Sequence, residues 1–263
     1  MNQLEKNIIR WQRKPSERKK DGVFIVEGIK MALEVPVERL EAVVVSDSFI
    51  KENRFRIAGL EKACKKEKGI RFECIPDSDY KRLSDTKTPQ GILAVLKAYD
   101  YTPEEILREE NGFYVFLENL QDPGNLGTII RSAEAAGCSG VILNENSVDP
   151  YNPKVIRATM GSFFRVKFAV TPDLRSLIRE FREDGGTVYA AHLQGSVPYD
   201  QADYRKKCAV MIGNESKGLS DALTEAADLR VHIPMKGKVE SLNAAMAATI
   251  LMFESMRQRK TTD

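Results

Sequence analysis

The sequence predicts an α/β protein of two domains, a small N-terminal α/β domain over residues 1–105 and a C-terminal parallel-sheet α/β domain over residues 106–263. Three observations carry this. Strand-like apolar runs alternate with helix-like stretches along the whole chain. Runs such as YVFL (114–117) and AVMI (209–212) are apolar without alternation, as strands buried on both faces of a parallel sheet are. A polar segment near residues 98–111, containing Pro103, separates two stretches that each begin and end on strand-like runs, and a length of 263 residues suits two ordinary domains.

In the first domain, VFIVEG (23–28) reads as a strand and IKMALEV (29–35) as a short helix stopped by Pro36. LEAVVVSD (40–47) reads as a buried strand. The charged stretch 53–68 reads as a helix with Phe55, Leu60, Ala63 and Cys64 on its inner face. IRFECIP and GILAVLKAY supply two more strands. In the second domain FYVFLENL, GVILNE, FFRVKFAV, TVYAAHL, CAVMIGNE and LRVHIP read as strands. Helices are expected at about 125–137, 152–160, 173–184, 219–227 and 241–258.

Composition excludes several classes. With 42% hydrophobic and 30% charged residues the chain is globular, not disordered or collagen-like. Its apolar runs are too short to cross a bilayer, and MNQLEKNIIRWQRKPSERKK has no apolar core, so neither a membrane partner nor a secretory signal is expected. Cys64, Cys74, Cys138 and Cys208 are scattered without a C-x-x-C, which suits a reducing, cytoplasmic setting. Two histidines, His192 and His232, leave little for a metal centre, and no metal is expected. The formal charge of +2 hides an asymmetry: 21 basic against 16 acidic residues in the first hundred, 19 against 22 in the rest. Seven basic side chains in the first twenty residues suit either a solvated helical arm or a phosphate backbone.

Three segments of the second domain are unusual. In LENLQDPGNLGTIIRSAEAAG (117–137) a strand meets a tight DPGN turn and a helix begins near Asn125. Leu126, Ile129, Ile130 and Ala133 face the core, and Thr128, Arg131 and Glu134 share the opposite face. Taken alone, this is also a capped helix with an ordinary surface arginine. In VMIGNESKGL (210–219) a buried strand runs straight into glycines, which lets backbone approach a ligand, although a plain turn has the same composition. It is neither a dinucleotide fingerprint nor a P-loop. In VHIPMKGKVESLNAAMAATILMFESM (231–256), Ser241 is placed to cap a helix of small residues that is also a buried C-terminal helix.

Together the segments resemble the SpoU/TrmH family of RNA ribose 2′-O-methyltransferases. The resemblance rests on N-x-G-x-x-x-R, G-N-E-x-x-G-L and I-P-M-x-G-x-x-x-S-L-N, in that order, over roughly 112–258. More loosely, FIVEGIKMALE (24–34) and TKTPQGILAVL (86–96) resemble that family's accessory RNA-binding domain, which is similar to a kink-turn-binding ribosomal protein. The resemblance implies a deep trefoil knot in the second domain, S-adenosylmethionine bound bent in the knot loops, and a homodimer. It implies Arg131 as the catalytic arginine, with Asn125 and Glu215 orienting it and the target nucleotide, and Ser241 and Asn243 completing the polar site. Whether Arg131 acts as a base or as a fixed cation that activates the hydroxyl stays open, since arginine is essentially always protonated.

Cofactor contacts are expected from Leu193, Gln194 and Gly195, from Ile212, Gly213 and Asn214, and from Ile233, Pro234, Met235, Ser241 and Leu242, with Ile233 and Leu242 about the adenine. RNA contacts are expected from Arg13, Lys14 and Lys19 of the basic arm, from Lys87, Thr88, Gln90 and Gly91, and from Arg131. Lys154, Arg157 and Arg165 either line the approach or are solvated. The accessory domain favours rRNA over tRNA as the partner, by analogy alone. The alternatives are a tRNA enzyme of the same family, a catalytically silent RNA-binding protein, and an unrelated nucleotide-binding enzyme. Leu251, Met252, Phe253 and Met256 suit either a partner subunit or the core.

Overall fold

A computed structural model describes residues 1–260. The chain divides into two units: Met1–Tyr99 together with Asp149–Phe164, and Asp100–Val148 together with Arg165 onward.

The first unit begins with helices α1 (Gln3–Arg13) and α2 (Pro15–Asp21), which run into strand β1 (Val23–Glu27) and helix α3 (Ile29–Leu33). Strand β2 (Leu40–Ser46), helix α4 (Asp47–Lys66), strand β3 (Arg71–Ile75), helix α5 (Asp77–Leu83) and strand β4 (Ile92–Lys97) follow. The sheet order is β1-β4-β2-β3, with β4 antiparallel to both neighbours and β2 parallel to β3. Because successive strand residues face opposite sides, β1 serves two cores. Val23 and Ile25 pack with Leu4, Ile8 and Trp11 of α1 and with Tyr80 and Leu83 of α5. Phe24 points the other way, 5.3 Å from the Tyr151 ring and 5.2 Å from that of Phe163.

The N-terminal segment is therefore no solvated arm. The spacing of Leu4, Ile8 and Trp11 puts one face of α1 in the core, and Arg18 is buried, donating to the Trp11 carbonyl (2.7 Å) and paired with Asp149 (2.6 Å). Helix α4 starts earlier than expected, at Asp47, because the Ser46 hydroxyl accepts from the Phe49 amide. Its inner face is Phe49, Ile57, Leu60 and Cys64. Phe55, expected there, is 99% exposed, since it lies two residues short of Ile57 and so turns to the opposite side.

The second unit opens with helix α6 (Pro103–Ile106), strand β5 (Phe113–Leu117), helix α7 (Pro123–Ala136) and strand β6 (Gly140–Asn144). The chain then gives helix α8 (Pro153–Thr159) to the first unit. It continues with β7 (Phe168–Thr171), α9 (Leu174–Glu183), β8 (Thr187–Ala191) and β9 (Val197–Pro198). Strand β10 (Cys208–Ile212), helix α10 (Asp221–Ala226), strand β11 (Leu229–His232) and helix α11 (Ala244–Lys260) complete it. The strand expected over 163–170 is shorter. Ser162–Phe164 is a 3-10 turn whose Phe163 is buried in the first unit, and pairing begins only at Phe168.

All strand pairs of the seven-stranded sheet are parallel, in the order β7-β6-β5-β10-β8-β11-β9. Strand β10 is central and every residue of it is buried. The chain builds outward from β5 to β6 and β7, then crosses to the other side of β5, so the strand order reverses between β5 and β10. Ligands of open parallel sheets gather at the carboxyl ends beside such a reversal. Helices α7 and α11 pack against one another and share a Ser132–Thr249 hydroxyl contact of 2.8 Å. Leu251 and Met252 belong to the core, while Phe253 is 40% exposed.

Candidate active site

The three unusual segments meet at the carboxyl ends of β5, β10 and β11. After β5 the chain passes through Asn119, whose φ of 53° lies in the left-handed region. Asn144 holds it there: its Oδ1 accepts from the Asn119 amide (2.8 Å) and its Nδ2 donates to Asn119 Oδ1 (2.9 Å). The Asn119 carbonyl then accepts from Asn214 Nδ2 at 2.8 Å, tying the first motif to the second. Glu118 adds a tie, accepting from the Ser220 amide at 2.7 Å.

Asp122 caps α7, accepting from the Asn125 amide at 2.8 Å, with Pro123 in the first turn. Leu126, Ile129, Ile130 and Ala133 are buried, and Thr128 and Arg131 are exposed on the other face, as the periodicity predicts. In the second motif β10 ends at Gly213, where a Cβ would lie 2.1 Å from the Gly218 carbonyl carbon and 2.2 Å from the Leu219 nitrogen. Only glycine fits so close to backbone. Asn214 and Gly218 exchange backbone hydrogen bonds of 3.0 and 2.9 Å, closing a tight loop that projects Glu215.

Glu215 Oε1 accepts from the Asp122 amide (2.9 Å) and from Asn125 Nδ2 (3.0 Å), and both its oxygens lie 3.2–3.3 Å from the Gln121 amide. Asn243 Nδ2 in turn donates to Asn125 Oδ1 at 2.9 Å. Asn125 therefore joins one residue from each of the other two motifs. Burial alone pushes the Glu215 carboxyl up, but the hydrogen bonds from Asn125, Asp122 and the neighbouring amides outweigh it and hold the group below the usual glutamate range.

One expectation changes. Ser241 does not cap the last helix; Asn243 does, its Oδ1 accepting from the amides of Ala245 (2.9 Å) and Met246 (3.3 Å), so α11 starts at Ala244. Glu215 and Asn125 do not hydrogen-bond Arg131: their polar atoms are engaged with one another and with the start of α7. Arg131 is exposed and makes no hydrogen bond or ion pair among the described residues.

Beside this bridge lies a cleft of about 410 Å3. Leu193, Gln194, Ile212, Gly213, Asn214, Ile233, Met235, Ser241 and Leu242 line it; Gly195 and Pro234 do not. Glu215 is also in its wall. The sequence reading missed His192, Val231, His232, Leu219, Ala247 and Leu251. Ala247 and Leu251 stand one and two helical steps beyond Asn243, a spacing that was available in the sequence. His232 was hidden inside a strand, and its Nδ1 lies 2.9 Å from the Ser196 hydroxyl. Among the described residues no group of three or more His, Cys, Asp or Glu is placed to hold a metal ion.

The residues expected to bind RNA lie mostly in the first unit. Arg13, Lys14, Lys19, Lys87 and Thr88 are exposed. Gln90 and Gly91 have structural work: Gln90 Oε1 accepts from the Ile29 amide (3.0 Å), and Gly91, buried at φ 88°, gives its carbonyl to the Ser46 amide (2.8 Å). Arg157 pairs with Asp85 and Arg165 with Glu134, while Lys154 is exposed.

A cleft beyond the carboxyl ends of β8, β10 and β11 in an open parallel sheet places the domain among ligand-binding α/β domains. Residues 112–253 match the SpoU rRNA Methylase family and residues 2–94 match the MRM3-like substrate binding domain. The chain is 34% identical over 240 residues to a 23S rRNA (guanosine(2553)-2′-O)-methyltransferase of Bacillus subtilis, covering 90% of each chain. Among solved structures, an AdoMet-bound rRNA methyltransferase of Sinorhizobium meliloti matches with a TM-score of 0.83 and 31% identity, over 97% of this chain and 95% of that one. The SpoU methyltransferase AviRb of Streptomyces viridochromogenes, in complex with AdoMet, matches with a TM-score of 0.85 and 25% identity, over 99% of each. The chain belongs to the SpoU rRNA methylase family.

Proposed function

We propose that the protein methylates a ribose 2′-hydroxyl of rRNA, with S-adenosylmethionine as donor. The observation that carries this reading is the Glu215–Asn125–Asn243 bridge, which ties the first motif segment, with Arg131 on the same helix as Asn125, to the two segments that line the cleft. The cleft residues suit the cofactor. Ile212, Ile233, Leu242 and Leu251 offer apolar walls to an adenine, Ala244 and Ala247 keep the α11 side shallow, and Gly213 lets backbone approach. When bound, the cofactor supplies a methyl group on a sulfonium leaving group.

The remaining difficulty is the hydroxyl, a very weak acid. Arg131, exposed and without a partner, holds an adjacent RNA phosphate and stabilises the negative charge that grows on the ribose oxygen. Because a guanidinium stays charged, Arg131 does not take the proton, which passes to water. Asn125, Glu215 and Asn243 position α7, the Asn214–Gly218 loop and the start of α11, and so fix where Arg131 stands relative to the cleft. Ser241, in the cleft wall, adds a hydroxyl. In this reading the chain works as a homodimer and carries the family's trefoil knot, and the exposed bases of the first unit take the rRNA backbone.

The test is transfer of a labelled methyl group from S-adenosylmethionine into total rRNA and total tRNA, followed by mapping of the modified ribose. The reading expects label in an rRNA 2′-O position. Label confined to tRNA, or to a base, overturns it.

A further inference from the structure

Helix α4 of the first unit carries the most exposed large apolar side chain among the described residues. Phe55 is 99% exposed, against 60% for Val239, the next. At 100° per residue, Lys51, Gly59, Lys62 and Lys66 all fall within about 40° of Phe55, along a stripe of roughly 22 Å. Arg54 and Arg56 flank the ring on either side, and all six of these residues are exposed. Of residues 51–66 the one exposed acid is Glu52. Lys51, Lys62 and Lys66 make no ion pair among the described residues, whereas Lys65, off the stripe, is paired with Glu61 at 2.6 Å. Gly59 sits one turn beyond Phe55, and a Cβ there would meet nothing within 4 Å, so the ring has an open step beside it.

A bare ring within a line of unpaired cations is the chemistry that single-stranded nucleic acid recognises: bases stack on the aromatic face while phosphates follow the charges. We propose that the outer face of α4 is a second RNA-gripping surface, on which Phe55 stacks an unpaired base of the substrate and Lys51, Lys62 and Lys66 take successive phosphates. This rests on the reading of the protein as an RNA methyltransferase, and adds a contact site separate in sequence from the 13–20 and 86–91 segments. A protein partner is disfavoured by the excess of lysine and arginine around one ring, with Glu52 the one exposed acid of residues 51–66, since interface cores are depleted in lysine.

The full-length protein is titrated with fluorescent single-stranded oligouridine and with its duplex with oligoadenosine, at several salt concentrations. Phe55→Ala should weaken single-strand binding about tenfold and leave duplex binding nearly unchanged. The combined Lys51→Gln, Lys62→Gln, Lys66→Gln variant should lower the slope of log affinity against log salt by about 2. Phe55→Trp should show indole emission quenched by oligouridine and not by S-adenosylmethionine. Unchanged affinity and slope with no quenching would overturn the proposal, as would Phe55→Ala altering self-association without altering RNA affinity. Failure of the wild type to methylate rRNA, with the oligouridine effects intact, would instead overturn the enzymatic reading.

Discussion

The loops at the strand ends of the two sheets use polar groups in opposite ways. In the four-stranded sheet they fold back on their own core: Gly91 gives its carbonyl to Ser46, and Gln90 caps the amide of Ile29. The cations Lys14, Lys19 and Lys87 are left exposed. In the seven-stranded sheet the loops bond to each other. Asn144 fixes Asn119, Asn119 holds Asn214, and Glu215 and Asn243 converge on Asn125. The first arrangement suits a surface that grips an extended polyanion loosely; the second suits a rigid frame around one small molecule.

That contrast can be broken most severely at Arg131. Arg131→Ala should lower the methylation rate at least about a hundredfold while calorimetry shows cofactor affinity retained. An active variant would remove the frame's catalytic purpose. Next, Ile8→Ala should destabilise the first unit by about 2–5 kcal/mol, read by chemical denaturation, with cofactor affinity unchanged if the two regions do separate work. Gly213→Ala forces a methyl into backbone at 2.1 Å. It should cost about 1–3 kcal/mol and, unlike Ile8→Ala, weaken cofactor binding, because Gly218 and Leu219 form part of the cleft wall.

The smallest effect is the pH dependence of Glu215. Its carboxyl is held low in the folded protein, so its contribution is complete above the unfolded glutamate range and is lost as pH falls through the folded value. Glu215→Gln should therefore lower stability in the neutral region and flatten the acid limb, so that the two stability-against-pH curves converge as pH falls. An identical acid limb would mean that the carboxylate does not tie the motif loop to α7.

Much of the frame was legible in the sequence because periodicity and spacing are local. The inner and outer faces of α7 followed from one helical repeat, and the glycine at the end of β10 followed from the buried run before it. What was missed depended on competition or on distance. Both Ser241 and Asn243 are good caps, and only the start of α11 decides between them. Phe55 is aromatic and suits an inner face by residue type, but Ile57 and Leu60 fix the phase of α4 and turn it out. The charges of residues 1–20 masked the Leu4, Ile8, Trp11 repeat. The destination of Phe163 could not be read at all, because its partner Phe24 is far away in sequence.

That last pairing has a practical corollary. The polypeptide leaves the second unit after Val148 and returns at Arg165, lending sixteen residues to the first. A head piece cut after residue 105 would lose Tyr151 and Phe163 and uncover Phe24, while the tail piece would keep a greasy stretch with nothing to sit on. Exchanging heads between relatives should then succeed only when this excursion is exchanged with them.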